Sequence, residues 1–306
     1  MIRRVLIPLD GSHFAEHAIP YAIAIARRAG ATIELVSVSP PPFSSTHVRG
    51  VRILDDADLR AGAAAHQRYL DDVAWRIRER YGMPCSELVL VGAVFERLVE
   101  HVATSRPDLV VMTTHGGGSS SQSWLGSVTD RMVRDATVPL VLVRPSAATD
   151  VMGGEPVLRR LLVPSDGSPV AEAVLASAMQ LAELYEGELV LLGVVPTPSR
   201  LPHSLLLPLL PDVEARVEAA EERLRTHLTA CAARVGTSTV PVSVVVVRHH
   251  HPATAISEVA AHEHADLIAM STHGRGGVRR LLLGSVTDKV LRSGSLPMLV
   301  SRPDAA

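Results

Sequence analysis

The sequence predicts an α/β protein made of two tandem copies of one doubly wound, parallel, five-stranded domain. Three observations predict it. A long internal repeat joins the halves: Leu6-Ile7-Pro8-Leu9-Asp10-Gly11-Ser12 returns as Leu162-Val163-Pro164-Ser165-Asp166-Gly167-Ser168. Within each half, short apolar runs alternate with segments of helical periodicity, the pattern of parallel strands joined by right-handed crossovers. Finally, 47% of residues are hydrophobic but only 3% aromatic, so the cores must be aliphatic. Ala-, Val- and Leu-rich cores suit strands buried on both faces beneath Ala-rich helices.

In the first copy, Val5–Pro8 is a short apolar strand. His13–Ala29 reads as one helix, with Ala15, Ala18, Ala22, Ile25, Ala26 and Ala29 at spacings of three and four. Gly30 stops it. Ile33–Val38 is the second strand, followed by a Pro/Ser loop, Ser39–Thr46, and a longer helix ending at Arg80. Glu87–Val91, Leu109–Thr113 and Leu140–Val143 are the remaining strands. Phe95–Ser105 and Val128–Asp135 are the helices between them. The second copy gives strands at Leu161–Pro164, Leu189–Val195, Val242–Val247, Leu267–Ser271 and Met298–Ser301. Its helices are Ala171–Tyr185, Asp212–Val235, Ala255–His264 and Val286–Arg292.

Asp10 recurs 156 positions on and His115 recurs 158 positions on, so the second copy carries two extra residues between these motifs. A period this long exceeds a solenoid unit, and each copy is a whole domain. The domains read as 1–146 and 157–306. Their junction is the Ser/Ala/Thr/Gly interruption across Pro145–Pro156.

Bulk properties exclude several classes. The net charge is −2, so no general basic field exists to hold nucleic acid. Arg supplies the positive charge, with Lys289 the one lysine. Cys85 and Cys231 do not match between copies, which argues against a disulfide framework and fits a reducing cytoplasm. The longest uncharged apolar stretches, Leu189–Ser199 and Leu201–Pro211, fall short of the ~20 residues that span a bilayer. No signal-peptide pattern follows Met1. A cytoplasmic protein is expected.

The most specific feature follows the fourth strand. Thr113-Thr114-His115-Gly116, nine residues, then Gly126-Ser127 recurs as Ser271-Thr272-His273-Gly274, nine residues, then Gly284-Ser285. Glycine lets backbone approach a phosphate without a Cβ in the way. The Gly-Ser pair precedes a helix whose free N–H groups and dipole favour an anion.

These motifs, with the Pro-x-Asp after the first strand, resemble the universal stress protein family in its tandem form, a Rossmann-like fold of the adenine nucleotide alpha hydrolase type. The family pattern is Gly, two residues, Gly, nine residues, Gly, then Ser or Thr. Its first glycine is Thr113 in one copy and Ser271 in the other, and the rest matches. The resemblance implies ATP as ligand, with any Mg²⁺ held mostly by phosphates and water. It places Pro8, Asp10, Pro164 and Asp166 near the nucleoside and gives Val38 and Val194 backbone hydrogen bonds to adenine. Gly116, Gly126, Ser127 and Val128 would wrap ribose and phosphates, as would Gly274, Gly284, Ser285 and Val286. His115 and His273 stand in the same turns, as structural or ligand-adjacent residues. Arg275, Arg279 and Arg280 favour the second site, where the first copy has Gly117, Gly118, Ser119–Ser123 and Trp124. The alternative is that one copy has lost its site.

The resemblance also implies pairing of the halves through Leu140–Val143 and Met298–Ser301 as a pseudo-dimer, with assembly of two chains open. The expected function is an ATP-binding stress-response module rather than a fast enzyme. Alternatives are a slow ATPase or phosphoryl-transfer enzyme using Asp10, Asp166, Asp130 or Asp288, and a scaffold binding no nucleotide. No GxxxxGK[ST] loop is present. His249-His250-His251 reads as a polar loop rather than a zinc site, because adjacent residues at a strand end diverge. The leucines 205–207, 209 and 210 read as packed on their own domain rather than as a partner surface.

Overall fold

The computed structural model describes residues 1–41, 47–48, 51–52, 56–115, 125–145, 154–197, 213–272 and 283–302. The chain forms two compact units, Met1–Pro156 and Val157–Ala306.

In the first unit, β1 (Arg4–Pro8) leads to α1 (His13–Glu16), α2 (Ile19–Ala29) and β2 (Thr32–Ser39). A two-residue antiparallel ladder, β3 (His47–Val48) with β4 (Val51–Arg52), precedes α3 (Asp56–Tyr81). Then come β5 (Cys85–Val91), α4 (Val94–Ser105), β6 (Leu109–Thr113), α5 (Ser127–Asp135) and β7 (Leu140–Val143). The parallel order is β7-β6-β1-β2-β5. The second unit runs β8 (Arg160–Pro164), α6 (Pro169–Glu172), α7 (Leu175–Leu184), β9 (Glu188–Pro196), α8 (Val213–Val235) and β10 (Val242–His249). It continues with α9 (Pro252–His262), β11 (Leu267–Ser271), α10 (Ser285–Ser293) and β12 (Met298–Ser301). Its parallel order is β12-β11-β8-β9-β10.

The chain leaves β1 towards β2 and returns on its other side at β6, so the switch point opens at the carboxyl ends of β1 and β6. In the second unit it lies between β8 and β11. Central strands are apolar throughout: Val5, Leu6, Ile7, Leu161, Leu162 and Val163 are fully buried. On α3 the buried face is Leu70, Val73, Ala74 and Ile77, at helical spacing.

The single helix expected over His13–Ala29 is two. The joint tightens into i→i−3 bonds, His17 to Phe14 and Ala18 to Ala15, and Pro20 has no N–H to continue the ladder. The same joint occurs between α6 and α7, where Ala173 bonds Val170 and no proline is present. Proline is therefore not the whole cause. α1 carries a glutamate that anchors the long helix. Glu16, 6% exposed, takes both terminal guanidinium nitrogens of Arg76 at 2.9 Å. Its counterpart Glu172 takes Arg234 and His227, each at 2.6 Å.

A second repeated device starts each central strand. The Asp108 carboxylate accepts the N–H groups of Arg3 and Arg4 at 2.8 and 3.0 Å, and Asp266 those of Arg159 and Arg160, both at 2.8 Å. Asp266→Ala strands two donors and is expected to lower stability by about 2 kcal/mol, read by urea unfolding of the second unit. Neither thiol is poised to react: burial pushes Cys85 up to about 11 and also raises Cys231.

Candidate functional site

Each site is assembled from three turns at the carboxyl edge of a sheet. The first follows the central strand. Gly11 and Gly167 have φ of +83° and +76°, left-handed values that only glycine takes at low cost. The Asp10 carboxylate accepts the Ser12 N–H at 2.9 Å, and Asp166 that of Ser168 at 3.0 Å. Each serine then caps the next helix by accepting from Ala15 or Ala171 at 3.2 Å. The Pro-x-Asp-Gly-Ser motif thus folds itself and holds its carboxylate beside the switch point.

The second turn follows β6 and β11. Thr114 N–H bonds the Val143 carbonyl and Thr272 N–H that of Ser301, carrying the strand one residue past its ladder. The Thr113 hydroxyl donates to the His115 carbonyl at 2.7 Å, and the Thr114 hydroxyl meets His115 Nδ1 at 2.9 Å. Ser271, 5% exposed, stands in the place of Thr113, and its Oγ is buried with no hydrogen-bond partner among the described residues, which end at Thr272 here.

The third turn opens a helix. Gly126 and Gly284 are the N-cap residues of α5 and α10, without side-chain caps. Their N–H groups return to Thr114 and Thr272 carbonyls at 2.8 Å, and the first intrahelical bonds come only at Asp130 and Asp288. The N–H groups of Ser127, Val128 and Thr129, and of Ser285, Val286 and Thr287, are therefore unclaimed among the described residues. Thr129 and Thr287 hydroxyls donate to the carbonyls of Thr113 and Ser271 at 3.0 Å, locking each helix start to its strand end.

In the second unit these turns border a cavity of about 890 Å³. That falls within the ~300–1,000 Å³ typical of small-molecule sites. Pro164, Asp166, Val194, Ser271, Gly284, Ser285 and Val286, all expected from sequence, line it. Pro8, Asp10, Val38, Thr113, His115, Gly126, Ser127 and Val128 occupy the matching turns and strand ends of the first unit. Gly116, His273, Gly274 and Arg275 lie outside the described residues, as do Gly117 to Trp124, Arg279, Arg280 and the leucine-rich segment.

Sequence reasoning missed two groups. Thr129 and Thr287 were visible as members of the repeated Leu-Gly-Ser-Val-Thr-Asp motif. Arg223, Leu224 and His227 on α8, with Ile256 on α9, also line the cavity. Helical register could have marked the first three, which share one face of α8.

Other candidates have local roles. Asp130 and Asp288 are engaged by Arg134 and Arg292 on their own helices, at 2.9 and 2.8 Å. His249 Nδ1 meets the His251 N–H at 2.9 Å, and His250 Nδ1 meets the Thr197 hydroxyl at 2.9 Å. Among the described residues no group of three or more His, Cys, Asp or Glu could hold a metal ion, and no helix is long and apolar enough to cross a membrane. Lys289 is exposed on α10, four residues past Ser285.

Comparison with known proteins agrees with this architecture. The model of the universal stress protein family matches residues 1–144 and again 158–302. A universal stress protein of Mycobacterium tuberculosis is 32% identical over 205 residues, 65% of this chain and 63% of that protein, so the match spans under two thirds of that relative's length. One from Mycolicibacterium smegmatis is 26% identical over 303 residues, covering 98% of this chain and 97% of that protein. A solved universal stress protein from Archaeoglobus fulgidus superposes with a TM-score of 0.65 at 20% identity, covering 98% and 96% of the two chains, which shows the shared fold.

Proposed function

The chain belongs to the universal stress protein family, and from that premise we propose that each unit is an adenine-nucleotide site, with ATP the ligand, serving a stress-response module rather than a fast enzyme. The observation that carries this is the second unit's cavity. One wall presents three helix N–H groups beside the buried Ser271 hydroxyl, all unclaimed among the described residues. Anions are stabilised there by the free donors and the helix dipole. Leu192, Val194, Leu224 and Ile256 give the apolar walls a base requires. The residues fit a nucleotide: the N–H groups of Ser285 to Thr287 would hold phosphate oxygens, and Asp166 stands at the nucleoside end. Any Mg²⁺ would be held by the phosphates and water, since no carboxylate cluster is present among the described residues.

Ligand released from purified protein by denaturation and identified by mass spectrometry should be an adenine nucleotide, at up to two per chain. Protein free of nucleotide that also fails to bind added ATP would defeat the reading. Two hydroxyls should respond oppositely. Ser271→Ala removes a hydroxyl that bonds no described group, so it should not lower the melting temperature, yet should weaken ATP binding several-fold. Thr113→Ala breaks a made bond and should cost about 1 kcal/mol.

A further inference from the structure

The helix facing each site differs between the copies at matching positions. The Glu16–Arg76 and Glu172–Arg234 bonds fix the register: His66 stands ten residues before Arg76, and Leu224 ten before Arg234. On the neighbouring strand, Ser37 follows Val36, the ladder partner of Pro8, and Gly193 follows Leu192, the ladder partner of Pro164. The pair Ser37–His66 therefore corresponds to Gly193–Leu224. In the second unit this pair is apolar and close. Leu224 borders the cavity, and a Cβ placed on Gly193 would lie 2.8 Å from Leu224 Cδ2.

In the first unit the pair is polar, and its protons can be assigned. Ser37 Oγ, fully buried, lies 2.7 Å from the Leu9 carbonyl oxygen and 2.7 Å from His66 Nδ1. A carbonyl only accepts, so the single serine proton goes to Leu9. The contact with Nδ1 must then use the ring's own proton. The neutral imidazole is held as the Nδ1–H tautomer, and Nε2 carries a lone pair. No described group donates to it. Leu9 immediately precedes Asp10, so this acceptor is tied to the carboxyl end of β1, where the site begins.

We propose that His66 is a base-recognising residue of the first site, selecting a purine that offers an amino hydrogen, and that the second site, with Leu224 there, lacks this selection. The two sites of one chain therefore differ in base specificity. This rests on the reading that both units bind adenine nucleotides. A site with a fixed polar partner rejects an analogue lacking the matching group more strongly than an apolar wall does, because the partner is left unpaired.

The test compares ATP with the triphosphate of purine riboside, which lacks the 6-amino group, by calorimetric titration of the full chain. Gly284→Val isolates the first site and Gly126→Val the second, and two-class fits of the unsubstituted chain provide the same ratios independently. Removing the amino group should weaken the first site about tenfold more than the second. Ser37→Gly with His66→Leu should bring the first site's ratio to that of the second, while His66→Gln, which keeps an acceptor, should retain part of the difference. Should the double replacement not fold, His66→Leu alone leaves the Ser37–Leu9 bond and reads the same ratio. Equal ratios at the two sites, or a ratio that survives loss of His66, would overturn the proposal. Absence of ATP binding to the unsubstituted chain would instead overturn the site reading beneath it.

Discussion

A chain carrying Gly126→Val and Gly284→Val together should lose adenine-nucleotide affinity by about 100-fold or more, roughly 2.7 kcal/mol per site, while its melting temperature changes little. The backbone does not demand glycine at these positions. Their φ values, −63° and −55°, are open to any residue. A Cβ at Gly126 would meet nothing nearer than the Thr114 oxygen at 3.4 Å. What valine removes is the approach of a ligand to the N–H groups behind the cap. Calorimetry would read affinity and stoichiometry, and the single substitutions should each halve the number of sites. Unchanged affinity in the double variant would show that these helix starts do not touch the ligand.

Gly187→Ala should destabilise the second unit by about 3 kcal/mol. A Cβ built on Gly187 would overlap the Arg159 carbonyl oxygen and lie 2.8 Å from its carbonyl carbon. Both are backbone atoms, and that carbonyl already accepts the Glu188 N–H at 2.7 Å. Relief requires moving the start of β8 against β9. The first unit solves the corner differently, with Gly30 at φ +63° followed by Ala31. In the second unit Glu186 takes the left-handed position, φ 49°, and Gly187 the close approach. Glu186→Gly is therefore expected to stabilise by about 1 kcal/mol, and to offset part of the Gly187→Ala loss. Chemical denaturation followed separately in each unit would check both, and a Gly187→Ala unit as stable as its parent would show the corner to be pliable.

The strands were legible because apolar runs such as Leu161–Pro164 end at turn residues that repeat between copies. The N-cap glycines Gly126 and Gly284 were legible for the same reason, as members of a repeated motif just before a helical segment. The joint between α1 and α2 was not. Its alanines continue the helical period through the break, and the one mark in residue type, Pro20, is absent from the same joint in the second copy. Nor were the Asp108 and Asp266 clamps visible: an aspartate before a strand reads as an ordinary turn residue, and its two donors are over a hundred positions away in sequence. The cavity wall on α8 was missed because helical register groups Arg223, Leu224 and His227 on one face but does not say that the face borders a cavity. His66 was hidden further, since its meaning depends on the single Ser37 hydroxyl proton going to Leu9 rather than to the ring.

Lys289 rides on the exposed side of α10, the helix whose first turn borders the second cavity. As the only side-chain amine in 306 residues, it gives acylating dyes a single side-chain address once the α-amino group is blocked. A fluorophore attached there would report occupancy of one site while staying silent about its twin, so the two halves could be titrated independently without altering either binding turn.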